Sequence, residues 1–130
     1  MLILTIRTET PEAELGLYLN DRKLDYFKWQ AHRELSETIH TNIDKLLHKN
    51  NFSFNDLVGL IVYSGPGSFT GLRIGFSVAN ALAYSLKLKI VSTNGDTWIN
   101  DGINQLKTVE IFEPVFPFYG AEVNITKAKK

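Results

Sequence analysis

Apolar positions change their spacing along this chain, and the changes mark out its elements. Leu2-Ile3-Leu4-Thr5-Ile6 is a short aliphatic run that reads as a buried strand. Thr8 to Glu14 is polar around Pro11 and reads as a turn. Leu15–Leu19 predicts a second strand, Asn20-Asp21-Arg22-Lys23 a hairpin turn, and Leu24–Trp29 a third strand. From about Arg33 the spacing lengthens. Leu35, Ile39, Ile43, Leu46 and Leu47 form one stripe of an amphipathic helix that Asn50-Asn51 ends. Its acidic residues Glu34 and Glu37 come first and Lys45 and Lys49 last, as the helix dipole favours. Leu57–Tyr63 predicts a central strand, Ser64–Thr70 a Gly/Pro loop, Leu72–Leu86 a second helix, and Lys89–Ser92 a further strand. Thr97–Leu106 reads as a short helix, weakened by Gly102. The order is β-β-β-α-β-α-β followed by an irregular end. That order predicts an α/β domain in which a mixed sheet is flanked by helices.

Composition narrows the function. A chain of 130 residues is one ordinary domain, or a domain and a fragment, and can bury a real core. Lys plus Arg and Asp plus Glu both number 14, so a nucleic-acid binder held mainly by charge is not expected. There is no Cys, hence no disulfide, thiol nucleophile or zinc knuckle. Arg7 and Glu9 cut the apolar run at the N-terminus too short for a signal peptide, and no run reaches the ~20 apolar residues that cross a bilayer. The expected setting is the cytoplasm, without a membrane. His32, His40 and His48 are spaced eight apart and cannot share a metal on one helix. They read as exposed helix residues. No Gly-x-Ser-x-Gly elbow surrounds Ser68, and the acidic residues show no paired spacing. A self-sufficient hydrolase has little support.

The candidate chemistry lies in Ser64-Gly65-Pro66-Gly67-Ser68-Phe69-Thr70-Gly71-Leu72-Arg73-Ile74-Gly75, between a predicted strand and a predicted helix. Phosphate loops occupy such places. Here the P-loop lysine is missing and the dinucleotide spacing fails. The competing reading is a tight turn with Thr70 as the helix N-cap. In the following helix Gly71, Gly75, Ala79 and Ala83 recur every four residues and make one strip of small side chains. Each helical glycine costs about 1 kcal/mol relative to Ala, so close packing of another backbone is expected on that strip. Leu72, Ile74, Phe76, Val78, Leu82 and Leu86 occupy the other sides. A helix apolar on most sides needs cover on most sides. That cover is either the first helix or an intermolecular helix bundle.

The twelve residues from Ser64 to Gly75 resemble the signature of the TsaB (YeaZ) family, G-P-G-S-F-T-G-[LV]-R-[IV]-G after the fourth strand. The flanks agree, from Asp56-Leu57 to Tyr63 before it and from Ala79 to Thr93 after it. Glu113 to Gly120 resembles the family's terminal segment more loosely. The resemblance implies an actin-like (ASKHA, ribonuclease H-like) N-terminal subdomain over residues 1–106, with 107–130 an irregular remnant of a second lobe. It implies a non-catalytic subunit of the machinery that makes threonylcarbamoyladenosine in tRNA. Such a subunit pairs through its first two helices with a TsaD-like catalytic paralogue and self-pairs when alone. No cofactor is then expected on this chain, ATP and metal belong to the partner, and tRNA is met only through the complex. Partner-facing candidates are Leu35, Ile39 and Ile43 on the first helix and Gly71, Gly75, Ala79 and Ala83 on the second. The motif loop contributes Ser64, Gly65, Pro66, Gly67, Ser68, Phe69, Thr70 and Arg73. On this reading Gly75→Leu or Ala79→Arg should abolish pairing and leave the fold.

Three departures from the family bear on function. Arg7 stands where members usually keep an aspartate at the end of the first strand, and a cation there opposes metal binding. Leu35 stands where members often have His. Only about twenty residues separate Thr93 from the terminal segment, too few for a full second lobe. All three favour a scaffold. The alternatives are an actin-like nucleotide-binding domain using the Gly65–Gly71 loop and, with less support, a glycoprotease-like peptidase.

Overall fold

A computed structural model describes residues 1–109 and 113–116. The expectations for 110–112 and 117–130 lie outside the described residues. Among the described residues the strands are β1 (Leu2–Arg7), β2 (Glu12–Leu19), β3 (Arg22–Gln30), β4 (Gly59–Tyr63) and β5 (Lys89–Thr93). The α-helices among the described residues are α1 (Leu35–Lys49), α2 (Phe69–Leu86) and α3 (Trp98–Leu106). One sheet runs in the order β3-β2-β1-β4-β5. β1, β2 and β3 are antiparallel neighbours, whereas β4 joins β1, and β5 joins β4, in parallel. This is the mixed α/β sheet that the sequence predicts.

Alternation along each strand divides the residues between two helical layers. Leu2, Leu4 and Ile6 of β1 face the layer of α1 and α2, with Ala13, Leu15 and Leu17 of β2 and Leu60 and Val62 of β4. Ile3 and Ile61 face the opposite way, onto Trp98, Ile103 and Leu106 of α3. α3 forms in spite of Gly102, and the packing gives the reason: a Cβ there would run into the Ile61 side chain. The glycine lets the helix lie close on β4.

Several boundaries differ from expectation: β3 starts at Arg22, two residues before the predicted Leu24, and β4 at Gly59, two residues after the predicted Leu57. β2 starts at Glu12, inside the stretch that Pro11 and its polar neighbours mark as a turn. Glu12 and Glu14 pair with Gln30 and Lys28, so the strand continues through polar outward positions while Ala13 and Leu15 face the core. The β2–β3 turn is short because β3 begins at Arg22, and it holds Asn20 at φ 57°, which Asn tolerates. α2 starts at Phe69, three residues before the predicted Leu72.

Candidate functional site

The motif loop is built around the connection between β1 and β2. Gly65 takes φ 99°, in the left-handed region that favours glycine, and its bond to Pro66 is cis. Ser68, and not Thr70, caps α2: its Oγ accepts from the Gly71 N–H at 3.2 Å. The Ser68 N–H donates to the Glu9 carbonyl at 2.8 Å and the Leu72 N–H to the Ser68 carbonyl at 2.9 Å. Two of the donors that a phosphate would meet at this helix start, the Ser68 and Gly71 N–H groups, are therefore already bound within the chain.

The small-residue strip meets the same connection. A Cβ on Gly67 would run into the Glu9 side chain, one on Gly71 into the Thr8 carbonyl, and one on Gly75 into the Thr8 hydroxyl. Thr8 Oγ1 donates to the Gly71 carbonyl at 2.7 Å. Ala79 and Ala83 continue the strip as fully buried members of the core. Leu35, Ile39 and Ile43 of α1 are buried in that core as well. This corrects the expectation that the strip and the α1 stripe face a partner. The close approach that the glycines permit comes from this chain's own β1–β2 connection. Gly75→Leu and Ala79→Arg would consequently damage the fold itself.

The solvent-facing side of α2 is a different stripe. Thr70, Arg73, Ser77, Ala81 and Tyr84 are exposed at helical spacing, with Phe69 at the start. Arg73 lies over the Phe69 ring, 5.2 Å from its centroid. Ser36 from the first turn of α1 joins Thr70, Arg73, Ile74, Ser77 and Val78 around a groove of about 310 Å³ between the two helices. His32, His40 and His48 are all exposed, as expected. Spacing alone left open which α2 stripe faces outward. Ser77 and Ala81 carried the signal, as small residues outside the buried strip.

At the end of β1, Arg7 is held from several directions. Its Nε lies 2.9 and 3.1 Å from the two Glu9 carboxylate oxygens, and its Nη2 lies 2.7 Å from Oε2. The guanidinium carbon sits 4.0 Å from the centroid of the Tyr63 ring and 5.9 Å from that of Trp98. Tyr63 and Trp98 themselves meet edge to face. Burial works against the charge of Arg7, but the hydrogen bonds and field of Glu9 outweigh it and raise the pKa. A fixed cation therefore stands at this strand end, neutralised by a carboxylate only 8% exposed. Beside it the Tyr26 hydroxyl donates to Glu14 at 2.6 Å. Burial first, and then Glu14, push that phenol far above its ordinary range, so it stays protonated.

The α1 stripe, the motif loop and α2 fall within a region of recognisable ancestry. A family model described as "TsaD: tRNA N6-adenosine threonylcarbamoyltransferase" matches residues 29–95, from the end of β3 through α1, the motif loop and α2 to just past β5. The TsaB protein of Escherichia coli, a tRNA threonylcarbamoyladenosine biosynthesis protein, is 32% identical over 94 residues, which are 72% of this chain and 40% of the relative. The chain belongs to the TsaB (YeaZ) group of the TsaD family. A tRNA N6-adenosine threonylcarbamoyltransferase of Clostridioides difficile is 39% identical over a shorter stretch, 49% of this chain and 19% of the relative. Among solved structures, YeaZ from Pseudomonas aeruginosa superposes with a TM-score of 0.66 at 22% identity, covering 72% of this chain and 43% of its own. RuvC of Thermus thermophilus, in complex with a Holliday junction substrate, superposes with a TM-score of 0.54 at 11% identity, covering 92% and 85%. Both superpositions carry the fold, which is actin-like and ribonuclease H-like. The chain spans less than half the length of the TsaB relatives it matches. Among the described residues no helix is long and apolar enough to cross a membrane.

Proposed function

We propose that this TsaB-family chain is a non-catalytic docking subunit of the cytoplasmic machinery that forms threonylcarbamoyladenosine in tRNA. It binds a TsaD-like catalytic subunit and stabilises that subunit's active form, so its effect on the reaction is indirect. The observation that carries this reading is the outward stripe of α2. Small residues Ser77 and Ala81 sit at its centre and the 76% exposed Tyr84 near one end, beside the α1–α2 groove. Small residues let a second helix approach closely, and a large exposed aromatic on the same stripe is a residue type enriched among interface anchors. Arg7 supports the division of labour. The guanidinium fills the strand end where the resemblance places an aspartate, so ATP and metal are assigned to the partner. tRNA is met through the complex, and a second copy of this chain takes the partner's place when it is absent.

The test is the molar mass by light-scattering chromatography of this chain, of the TsaD of its own organism, and of their mixture. A one-to-one complex is the expected result. Separate elution of the two proteins in the mixture would overturn the reading.

A further inference from the structure

A cavity of about 400 Å³ opens at the carboxyl ends of β4 and β5, lined among others by Ser64, Ser92, Asn94, Asp101, Asn104 and Gln105. Its place and size suit a small ligand: crevices outside the carboxyl ends of strands are where open α/β sheets bind theirs. The cavity lies on the β5–α3 side of the molecule, apart from the outward stripe of α2. Ser64 is only 9% exposed, and its hydroxyl makes no hydrogen bond to the described residues. The side chains of Ser92, Asn94, Asn104 and Gln105 are likewise without a protein partner there. By contrast Thr93, also on the wall, donates to the Trp98 carbonyl at 2.6 Å, and Asp101 accepts from Thr97 at 3.0 Å. A serine only 9% exposed on the wall of a polar cavity, beside four more polar side chains that hold no protein partner among the described residues, offers a ligand a set of hydrogen bonds.

The residue types say which ligand. Three carboxamides each present a coplanar donor and acceptor, the complement of a nucleobase edge. Two free hydroxyls suit the hydroxyls of a ribose. Among the described lining residues there is no cation, and Asp101 carries the only formal charge there. A phosphate would meet a carboxylate with nothing to neutralise it. We propose that this cavity binds a neutral ribonucleoside and disfavours its phosphorylated forms. It is distinct from a phosphate site on the Gly65–Gly71 loop, where the Ser68 and Gly71 N–H groups are already engaged.

The test is a titration of the isotopically labelled chain with adenosine, guanosine, cytidine and uridine in turn, followed by amide chemical shifts and calorimetry. At least one nucleoside should bind with a Kd of about 1 mM or tighter and move the amides of Ser64, Ser92, Asn94, Asn104 and Gln105. Its 5′-monophosphate should bind several-fold more weakly. Asn104→Leu, on the exposed side of α3, should weaken binding at least ~5-fold with an unchanged unfolding curve. Ser64→Ala should weaken it as well. Absence of these shifts with all four nucleosides at about ten times that concentration would overturn the proposal. So would tighter binding of the monophosphate or of a short single-stranded RNA, because the neutral lining would then not be what selects.

Discussion

Thr8 and Gly71, 63 residues apart, are joined by a 2.7 Å hydrogen bond from the threonine hydroxyl to the glycine carbonyl, and the Thr8 carbonyl occupies the space of the missing Gly71 side chain. The sign of a substitution here separates two effects. Helix propensity alone makes Gly71→Ala stabilising by about 1 kcal/mol. The clash with the Thr8 backbone, which has no free end to swing away, outweighs it and leaves a net loss of about 1–3 kcal/mol. Gly75→Ala should behave alike. Thr8→Val removes the hydroxyl and should cost about 1 kcal/mol. Urea unfolding of the three variants checks this, and stabilisation by Gly71→Ala would show that the β1–β2 connection yields.

This pair also shows what was legible in the sequence. Every strand and helix was visible in the spacing of apolar residues, because the local period survives whatever the element packs on. The glycine strip was correctly readable as a place of close approach. What approaches it was not, since a contact across 63 residues leaves no trace in local spacing. The start of α2 was misplaced because Ser68 and Thr70 are both good caps, and only the hydrogen bond to the Gly71 N–H decides between them. The polar cavity went unseen for a related reason. Ser64, Asn94 and Asn104 come from separate segments, and each alone looks like an ordinary surface or turn residue.

Arg7 and Glu9 should be coupled. Removing the guanidinium leaves the Glu9 carboxylate, only 8% exposed, without its partner. Arg7→Ala should therefore cost about 2–3 kcal/mol, below the figure for a fully buried pair because Arg7 is 29% exposed. Combining it with Glu9→Gln, which removes the stranded charge, should recover part of the loss. A double-mutant cycle in urea measures the coupling, and a coupling energy near zero would show that solvent screens the pair.

Asp25 gives the stability a pH dependence in the acid range. The Asn50 side chain donates to its carboxylate at 3.0 Å, the Tyr26 N–H donates at 2.8 Å, and Lys49 stands 3.5 Å away. Chiefly through Asn50, and against a smaller opposing effect of burial, these hold Asp25 below the usual carboxylate range. A depressed folded pKa means that the contribution is complete above the unfolded value of about 3.9 and disappears as the pH falls through the folded one. Asp25→Asn should therefore be less stable than the parent at neutral pH, and the gap should close on acidification to about pH 2. A gap that stays constant with pH would place the effect in packing and not in the charge.

Ala79 and Ala81 stand two positions apart on α2 and face opposite ways, Ala79 into the core and Ala81 into solvent. Arginine at the two positions separates folding from docking. Ala79→Arg forces a charge into a fully buried site and should unfold the chain or leave it aggregated. Ala81→Arg and Ser77→Arg should keep the parent unfolding midpoint within about 0.5 kcal/mol, since both residues lie on the surface. They should nonetheless weaken the complex with the TsaD-like subunit by at least ~10-fold, because bulk and an unpaired charge then sit at the centre of the helix contact. Circular dichroism reports the fold and calorimetry the affinity. If both surface variants bind TsaD as the parent does, the outward stripe of α2 is not the docking face, and the search moves to the exposed side of α1, around Glu37, His40 and Thr41.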